Sequence, residues 1–159
     1  MTTSAASPML DRAGIAARIP HAGSMCLLDS LQRWDADRIV CHAVSHRDPA
    51  NPLRGASGLL ATCAIEYAAQ AMALHGALVG EANGRPASPG YLASARGVRL
   101  AVLRLDDLPD ALVIEATRSS GDARQILYGF VVGHRGNVIA EGRATVILEV
   151  PMAAPAVPA

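Results

Sequence analysis

The stretch from Gly58 to Glu81 reads GLLATCAIEYAAQAMALHGALVGE, and it predicts the architecture of the whole chain. It contains no proline and is rich in Ala, Leu and Met, so it favours one long helix with Ser57 as the expected N-cap. Its large apolar side chains point in every direction around the helix. Such a helix is typical of an element that other parts of the protein enclose.

A narrow polar stripe interrupts this apolar helix. Thr62, Glu66 and Gln70 recur at every fourth position and therefore lie one above another. Glu66 is the only charged residue between Arg54 and Glu81. We expect burial to raise its pKa, so that it holds or gives a proton near neutral pH while Gln70 fixes its orientation. The alternative is that Glu66 pairs with a buried arginine or caps a loop backbone.

The elements on either side of the helix predict an antiparallel sheet. We expect one short helix and six strands, in the order Leu10–Arg18 (helix), Met25–Arg33, Arg38–Ser45, then after the long helix Tyr91–Leu105, Ala111–Arg118, Arg124–Val132 and Val138–Glu149. An antiparallel sheet that follows a single apolar helix curls around it, which is the α+β hot-dog fold.

The same pattern predicts the domain organisation. We expect a mobile N-terminus over residues 1–8, a single hot-dog domain over residues 9–150 and a disordered Ala/Pro tail over residues 151–159. One sheet covers only one side of the helix. A homodimer or a dimer of dimers would extend the sheet and bury the rest of the helix.

Composition restricts the classes of partner and compartment. The net charge is zero and no acidic or basic block occurs, which argues against nucleic acid or an anionic membrane as the main partner. The three cysteines are odd in number and lack metal-ligand spacing, so we expect reduced thiols, no metal site and a cytoplasmic protein. The N-terminus does not resemble a signal peptide, and polar residues in the helix argue against a membrane span.

Three segments together carry a family resemblance. Ile19-Pro20-His21, Met25-Cys26-Leu27-Leu28-Asp29 and Ile65-Glu66-Tyr67-Ala68-Ala69-Gln70-Ala71 resemble the 3-hydroxyacyl-acyl-carrier-protein dehydratases of the hot-dog superfamily. The likeness is closest to the branch associated with aryl-polyene gene clusters, and it covers roughly residues 19–148.

The resemblance implies a reaction and its catalytic residues. It implies dehydration of a 3-hydroxyacyl thioester to the trans-2-enoyl thioester in fatty-acid or polyene-type biosynthesis. The substrate is carried on the phosphopantetheine of an acyl carrier protein or CoA, without a further cofactor. In housekeeping members a His and an acidic residue from two subunits act together. The acidic residue corresponds to Glu66, whereas Pro52 stands where the loop His is usual.

His21 is therefore the expected base, with Glu66 as the general acid. The alternative is that the His21 imidazole bonds a backbone group and stiffens the bend after Pro20. His46, beside the loop before the helix, is the reserve candidate. His75 is expected in the core or a dimer interface, unable to share a pocket with Glu66, and His134 in a solvated hairpin tip.

Substrate-binding groups are expected near the start of the long helix, and Gln70 within the helix is counted among them. Backbone N–H groups from Gly58 to Ala61 are candidates to polarise the thioester carbonyl, since helix N-termini favour developing negative charge. Arg54 and Arg47 are candidates for the phosphopantetheine phosphate or an acidic carrier protein. The alternative for both arginines is a solvated loop position.

Three functions remain open from the sequence. The first is the dehydratase with Glu66 and His21 as its catalytic pair. The second is a catalytically inactive hot-dog partner subunit that stabilises an active paralogue in a hetero-complex, which the Pro52 substitution favours. The third is an acyl thioesterase, in which Glu66 activates water.

Overall fold

A long helix forms the centre of the fold, as the sequence predicts. The computed structural model describes residues 7–86 and 88–149. Helix α2 spans Ala64–Ala82 and follows a 3-10 turn at Ala61–Cys63. Buried residues occur on most sides of it, from Ala64 and Tyr67 through Met72 to Leu78. The apolar stretch is therefore enclosed.

The helix begins later than the sequence suggests. Gly58 has φ +90°, and Leu60 forms a bridge with Arg104 before the 3-10 turn starts. The segment is thus held in extended pairing with a neighbouring loop. The prediction of Ser57 as N-cap is wrong, because the residue that precedes α2 is Cys63, which makes no side-chain cap.

One antiparallel sheet of seven strands curls around α2. The elements are β1 (Leu10–Asp11), α1 (Arg12–Ala16), β2 (Ser30–Trp34), β3 (Arg38–Ala43), β4 (Gly90–Leu100), β5 (Leu112–Gly121), β6 (Gln125–His134) and β7 (Asn137–Leu148). Their spatial order is β1-β2-β3-β5-β6-β7-β4, so the first strand after the helix lies at the far edge. This arrangement confirms the α+β hot-dog fold.

The core lies between the helix and the inner face of the sheet. Alternate residues of β5 and β6 are buried, as expected for strands with one face on a core. The largest fully buried side chains include Tyr67, Leu74 and Ile114. The buried aromatics among the described residues are Tyr67, Tyr128 and Phe130, so aliphatic side chains fill most of the interior.

The N-terminal segment departs from the prediction because of one side chain of α2. The strand predicted from Met25 begins only at Ser30, and a 3-10 turn occupies Gly23–Met25. The backbone of Met25 and Leu27 bonds the Gln70 amide instead of a neighbouring strand. Residues 21–29 consequently run over the helix before they enter the sheet.

Several predictions fall partly outside the described residues. Most of the expected mobile N-terminus (1–8) and the whole expected tail (151–159) lie there. All three cysteines are free. Within the described part of the chain, no helix is long and apolar enough to cross a membrane.

Candidate active site

The His21 imidazole and the Glu66 carboxylate are in direct contact. His21 Nε2 lies 3.1 Å from Glu66 Oε1, and the two side chains are 25% and 33% exposed. His21 stands in the bend after Pro20, and Glu66 lies in the first turn of α2. One chain therefore brings together both residues that the sequence analysis proposed as the catalytic pair.

Gln70 connects the helix that carries Glu66 to the segment that carries His21. Its Nε2 donates to Glu66 Oε1 at 3.2 Å and to the Met25 carbonyl at 2.7 Å. Its Oε1 accepts from the Leu27 amide at 2.9 Å. Gln70 is fully buried, and both its donor and its acceptor atoms are occupied by the protein. It therefore positions Glu66, as the sequence analysis expected, and the segment that carries His21; a contact between Gln70 and the substrate stays a prediction.

The electrostatics of Glu66 differ from the expectation. The hydrogen bond with His21 lowers the pKa of the Glu66 carboxyl below its ordinary value, and the bond with Gln70 acts in the same direction. Burial opposes both effects but is outweighed by them together. The prediction of a raised pKa was wrong because it considered burial without the partner that the fold supplies.

The second nitrogen of His21 has no hydrogen-bond partner in the described part of the chain. Nε2 faces the carboxylate, which accepts a proton when ionised, so Nε2 carries hydrogen in this contact. Nδ1 is covered and makes no hydrogen bond to any described residue. The imidazole is thus oriented by one nitrogen and has the other uncommitted, which is the arrangement of a histidine held by a carboxylate.

A large cavity opens beside the pair. It has a volume of about 840 Å³ and runs along one side of α2 towards the loop after it. His21 and Glu66 line it, and apolar side chains contribute much of the remaining wall, among them Met72, Val79, Leu92, Ile126, Val146 and Leu148. The cavity can hold an extended apolar chain with its polar end at the histidine and the carboxylate.

The cavity has a second polar region further along the helix. His75, Tyr128 and Arg118 line it there. His75 Nε2 lies 2.9 Å from the Asp35 carbonyl and therefore donates to it, so Nδ1 accepts from the Tyr128 hydroxyl at 2.8 Å. Both ring nitrogens are satisfied, and burial lowers the pKa of His75.

This placement corrects one prediction about His75. It was expected to be unable to share a cavity with Glu66, since nine residues correspond to half a turn around the helix. The cavity extends far enough around the helix that both Glu66 and His75 line it. The prediction that His75 is a satisfied core residue agrees with its two hydrogen bonds.

The predicted substrate-binding groups at the helix start lie away from this cavity. The Gly58 amide donates to the Gly55 carbonyl, and the Ala61 amide donates to the Leu103 carbonyl at 2.9 Å. Both donors are therefore engaged by the protein. Arg54 lies 3.1 Å from the Asp106 carboxylate. The Arg54 guanidinium thus forms an ion pair with Asp106. It is neither free in solvent nor part of the cavity wall.

Asp106 is the centre of that loop structure. Its side chain is 1% exposed, and besides Arg54 it binds Arg104 and accepts from the Leu59 amide at 3.0 Å. Arg104 lowers the pKa of the Asp106 carboxyl far below its usual range. Sequence reasoning missed Asp106, because an Asp-Asp turn does not indicate which distant loop its side chains will contact.

The other histidines do not join the candidate site. His46 is buried and bonds the Leu108 carbonyl through Nε2 at 3.0 Å. His134 is buried against the Asp110 amide, so the expectation of a solvated tip residue was wrong. Pro52, which the sequence analysis aligned with the loop histidine of housekeeping dehydratases, is exposed. Neighbouring Asn51 bonds the Tyr67 hydroxyl at 3.2 Å.

Comparison with known proteins agrees with this architecture. The antiparallel sheet curled around one central helix defines a protein of the hot-dog fold. A family model described as ApeP-like, ApeP dehydratase, matches residues 13–154, and the chain belongs to that family. This confirms the resemblance to dehydratases of the aryl-polyene type. Among curated protein sequences, none matches the chain significantly.

Solved structures share the fold at low sequence identity. The dehydratase heterocomplex ApeI:P from Xenorhabdus doucetiae is similar over 86% of this chain and 91% of that chain, with a TM-score of 0.78 and 22% identity. Zebrafish thioesterase superfamily member 2 is similar over 88% of this chain and 99% of that chain, with a TM-score of 0.56 and 13% identity. A hypothetical thioesterase from Streptococcus pneumoniae with coenzyme A is similar over 76% of this chain and 84% of that chain, with a TM-score of 0.55 and 11% identity.

Proposed function

We propose that this protein dehydrates a 3-hydroxyacyl thioester to the trans-2-enoyl thioester, with His21 and Glu66 as its proton-transfer pair. The observation that carries the proposal is the 3.1 Å contact between His21 Nε2 and Glu66 Oε1 at the edge of an 840 Å³ cavity. Membership of the ApeP-like dehydratase family supports the reaction class. The thioester is carried by an acyl carrier protein or by CoA.

Dehydration needs one group that accepts a proton from C2 and one that donates a proton to the hydroxyl at C3. The lowered pKa of Glu66 favours its carboxylate as the acceptor. His21 starts the cycle protonated and gives one proton to the C3 hydroxyl, which leaves as water while the double bond forms between C2 and C3, so His21 becomes a neutral imidazole. The proton on Glu66 returns to His21 across their hydrogen bond, so the pair ends each cycle as it began.

This assignment exchanges the roles expected from sequence, where Glu66 was the acid and His21 the base. Both versions place one transferable proton on the pair. They differ in where that proton rests before the reaction, and the His21 and Gln70 hydrogen bonds to Glu66 favour a resting carboxylate. The apolar wall beyond the pair suits the acyl chain and limits the access of water.

A second hot-dog subunit is part of the proposal. Strand β4 lies at the edge of the sheet and pairs only with β7 among the described residues, so the outward-facing backbone groups of this eleven-residue strand are unpaired. Leu103 just beyond it is 88% exposed. Such an edge fits another subunit that extends the sheet. The heterocomplex form of the similar dehydratase favours a paralogue as this subunit, with a homodimer as the alternative.

The inactive partner subunit is the second candidate function. Pro52 in place of the usual loop histidine is the observation that favours it, and its exposed position means that residue 52 does not face this chain's own cavity. In that case an active paralogue performs the chemistry, and this chain stabilises it.

The dehydratase activity of matched variants distinguishes the catalytic role from the inactive-partner role. It is measured on this protein in complex with its proposed second hot-dog subunit. His21→Asn and Glu66→Gln remove the proposed proton transfer, and His42→Asn is the control, because His42 is a partly buried strand residue outside the cavity. We expect both site variants to lose about 100-fold or more of the rate of enoyl formation, the typical contribution of general acid–base catalysis. Mass spectrometry of the carrier-bound product measures this rate.

Unchanged activity of the complex with either site variant would reject the catalytic role and favour the partner subunit. Release of free acid in place of enoyl product would identify the thioesterase. The same assay therefore decides among the three functions.

A further inference from the structure

Strand β5 places a positive charge on its inner face. Leu112, Ile114 and Ala116 occupy its inward positions and are buried, and Arg118 takes the next position of the same parity. Arg118 stands opposite Tyr128 of β6 in the strand register, and both residues line the cavity. Arg118 thus occupies a place where an apolar side chain would continue the core.

The Arg118 guanidinium makes no hydrogen bond or ion pair with any described residue, although its backbone amide donates to the Asp37 carbonyl at 2.7 Å. Some arginines of the fold are paired, such as Arg38 with Glu115 at 2.7 Å. A Cβ at position 121 would lie 2.8 Å from Arg118 Nη2, so Gly121 leaves room for the guanidinium. The position therefore accommodates the charge without neutralising it.

No carboxylate of the described residues lies within ion-pair distance of the Arg118 guanidinium, although Asp35 and Asp37 stand in the turn whose Asp37 carbonyl accepts from the Arg118 amide. The Tyr128 hydroxyl donates its proton to His75, and burial raises the pKa of Tyr128 to about 12, so the phenol stays neutral. The Asp35 carboxylate nearby accepts from the backbone amides of its own turn. Arg85 in the loop after α2 adds a second positive charge to the cavity lining.

The positive region and the catalytic pair are well separated. His75 follows Glu66 by nine helical residues, which corresponds to roughly 14 Å along the axis. Between them the wall is largely apolar. The cavity therefore has a carboxylate and a histidine in one region, and arginine with neutral hydrogen-bonding groups in the other.

We propose that the ligand of this cavity carries an anionic group that Arg118 binds in this second region. This inference rests on the proposed function and specifies its substrate class. A guanidinium pairs with carboxylate or phosphate through two parallel hydrogen bonds, and an arginine on a cavity wall gains most from such a partner. The anion is either a carboxylate at the far end of the acyl chain or the phosphate of the phosphopantetheine arm.

Equilibrium binding of probes tests the anion-binding role of Arg118 without any reaction. It is measured on the purified complex of this protein with its proposed second hot-dog subunit. Three probes distinguish the sources: coenzyme A, which supplies phosphates; the N-acetylcysteamine thioester of decanedioic acid, which supplies only a terminal carboxylate; and the matching decanoic thioester, which supplies neither. The variants are Arg118→Gln, Arg118→Lys, which keeps the charge, and Arg33→Gln, which removes an exposed arginine outside the cavity.

We expect Arg118→Gln to weaken the affinity for one anionic probe by about tenfold or more, the scale of a lost charge-assisted hydrogen bond. Arg118→Lys should retain part of that affinity, and Arg33→Gln and the decanoic probe should show no change. Loss with decanedioyl thioester identifies an acyl carboxylate, and loss with coenzyme A identifies the phosphate. Calorimetry measures each constant, and thermal melting of each variant verifies that it is folded.

Equal affinity of wild type and Arg118→Gln for both anionic probes, or no binding of either probe to the wild type, would overturn the proposal. Because no bond is made or broken in this experiment, its failure leaves the dehydration proposal standing. Conversely, a complex that binds an anionic probe through Arg118 but is insensitive to His21→Asn retains this site and loses the catalytic one.

Discussion

Gln70 donates to the Met25 carbonyl across 45 positions of sequence, at 2.7 Å, while the same nitrogen lies 3.2 Å from Glu66. The contact fixes the chain segment that carries His21 against the helix that carries Glu66. The geometry of the proton-transfer pair therefore depends on a side chain outside the cavity lining.

Replacing that amide should cost stability and activity together. Gln70→Leu leaves the buried Leu27 amide and the partly buried Met25 carbonyl without their partner, and we expect the free energy of unfolding to fall by roughly 1–3 kcal/mol. Denaturant titration measures this change. Gln125→Leu is the control, because its side chain is exposed, and it should change stability by less than about 0.5 kcal/mol. Equal effects of the two substitutions would contradict the role of Gln70.

The Glu66 carboxyl should titrate below its ordinary value in the folded protein. Its hydrogen bond with His21 lowers its pKa, so the pair stabilises the fold above the ordinary glutamate range, and this stabilisation is lost as the pH falls through the lowered value. NMR detection of the Glu66 side-chain carbon across the pH range measures the midpoint. His21→Asn should raise that midpoint and His42→Asn should leave it unchanged. A midpoint at or above the ordinary value in the wild type would show that burial dominates.

Asp106 should stabilise the loop before the helix in a pH-dependent way. Asp106→Asn removes the charge that binds Arg54 and Arg104, and we expect a lower melting temperature at neutral pH. Since the pKa of Asp106 is lowered in the folded state, the wild-type advantage is complete above an unfolded value of about 3.9 and shrinks as the pH falls below it. Asp107→Asn, an exposed neighbour, is the control. A difference that stays constant with pH in the acidic range would be inconsistent with this linkage.

Tyr128 should contribute through its hydroxyl as well as its ring. Tyr128→Phe keeps the edge-to-face packing on His75, whose ring centroid lies 5.7 Å away, but leaves His75 Nδ1 without its donor. We expect the free energy of unfolding to fall by about 1 kcal/mol. Tyr91→Phe provides the comparison, because Tyr91 is 57% exposed and should show no measurable change. Thermal unfolding followed by circular dichroism distinguishes the two outcomes.

The sequence predicted those features that depend on spacing within one element. The Gly58–Glu81 stretch indicated the central helix, and the four-residue interval placed Gln70 beside Glu66, as their hydrogen bond confirms. His21 was reached through the family resemblance and through the absence of a loop histidine at Pro52. The structure brings it to Glu66, although its catalytic role stays a prediction.

The features that were missed depend on which elements become neighbours. Strand β4 follows the helix in sequence but lies beyond β7 in the sheet, and no local pattern reports this order. The partners of Asp106 come from loops that are distant in sequence. A signal for Arg118 was present, since it continues the alternation of Leu112, Ile114 and Ala116 with a charge, but it becomes informative only once the cavity is known.

The cavity divides along the polypeptide. His21 and Glu66 belong to its first half, whereas Arg118, Tyr128 and the wall residues of β7 belong to its second. Exchanging the C-terminal half between relatives would therefore replace the sheet side of the cavity while keeping the reactive groups and the wall that α2 provides. Through this division, evolution can change which ligand fits by mutating one part of the gene without altering the other.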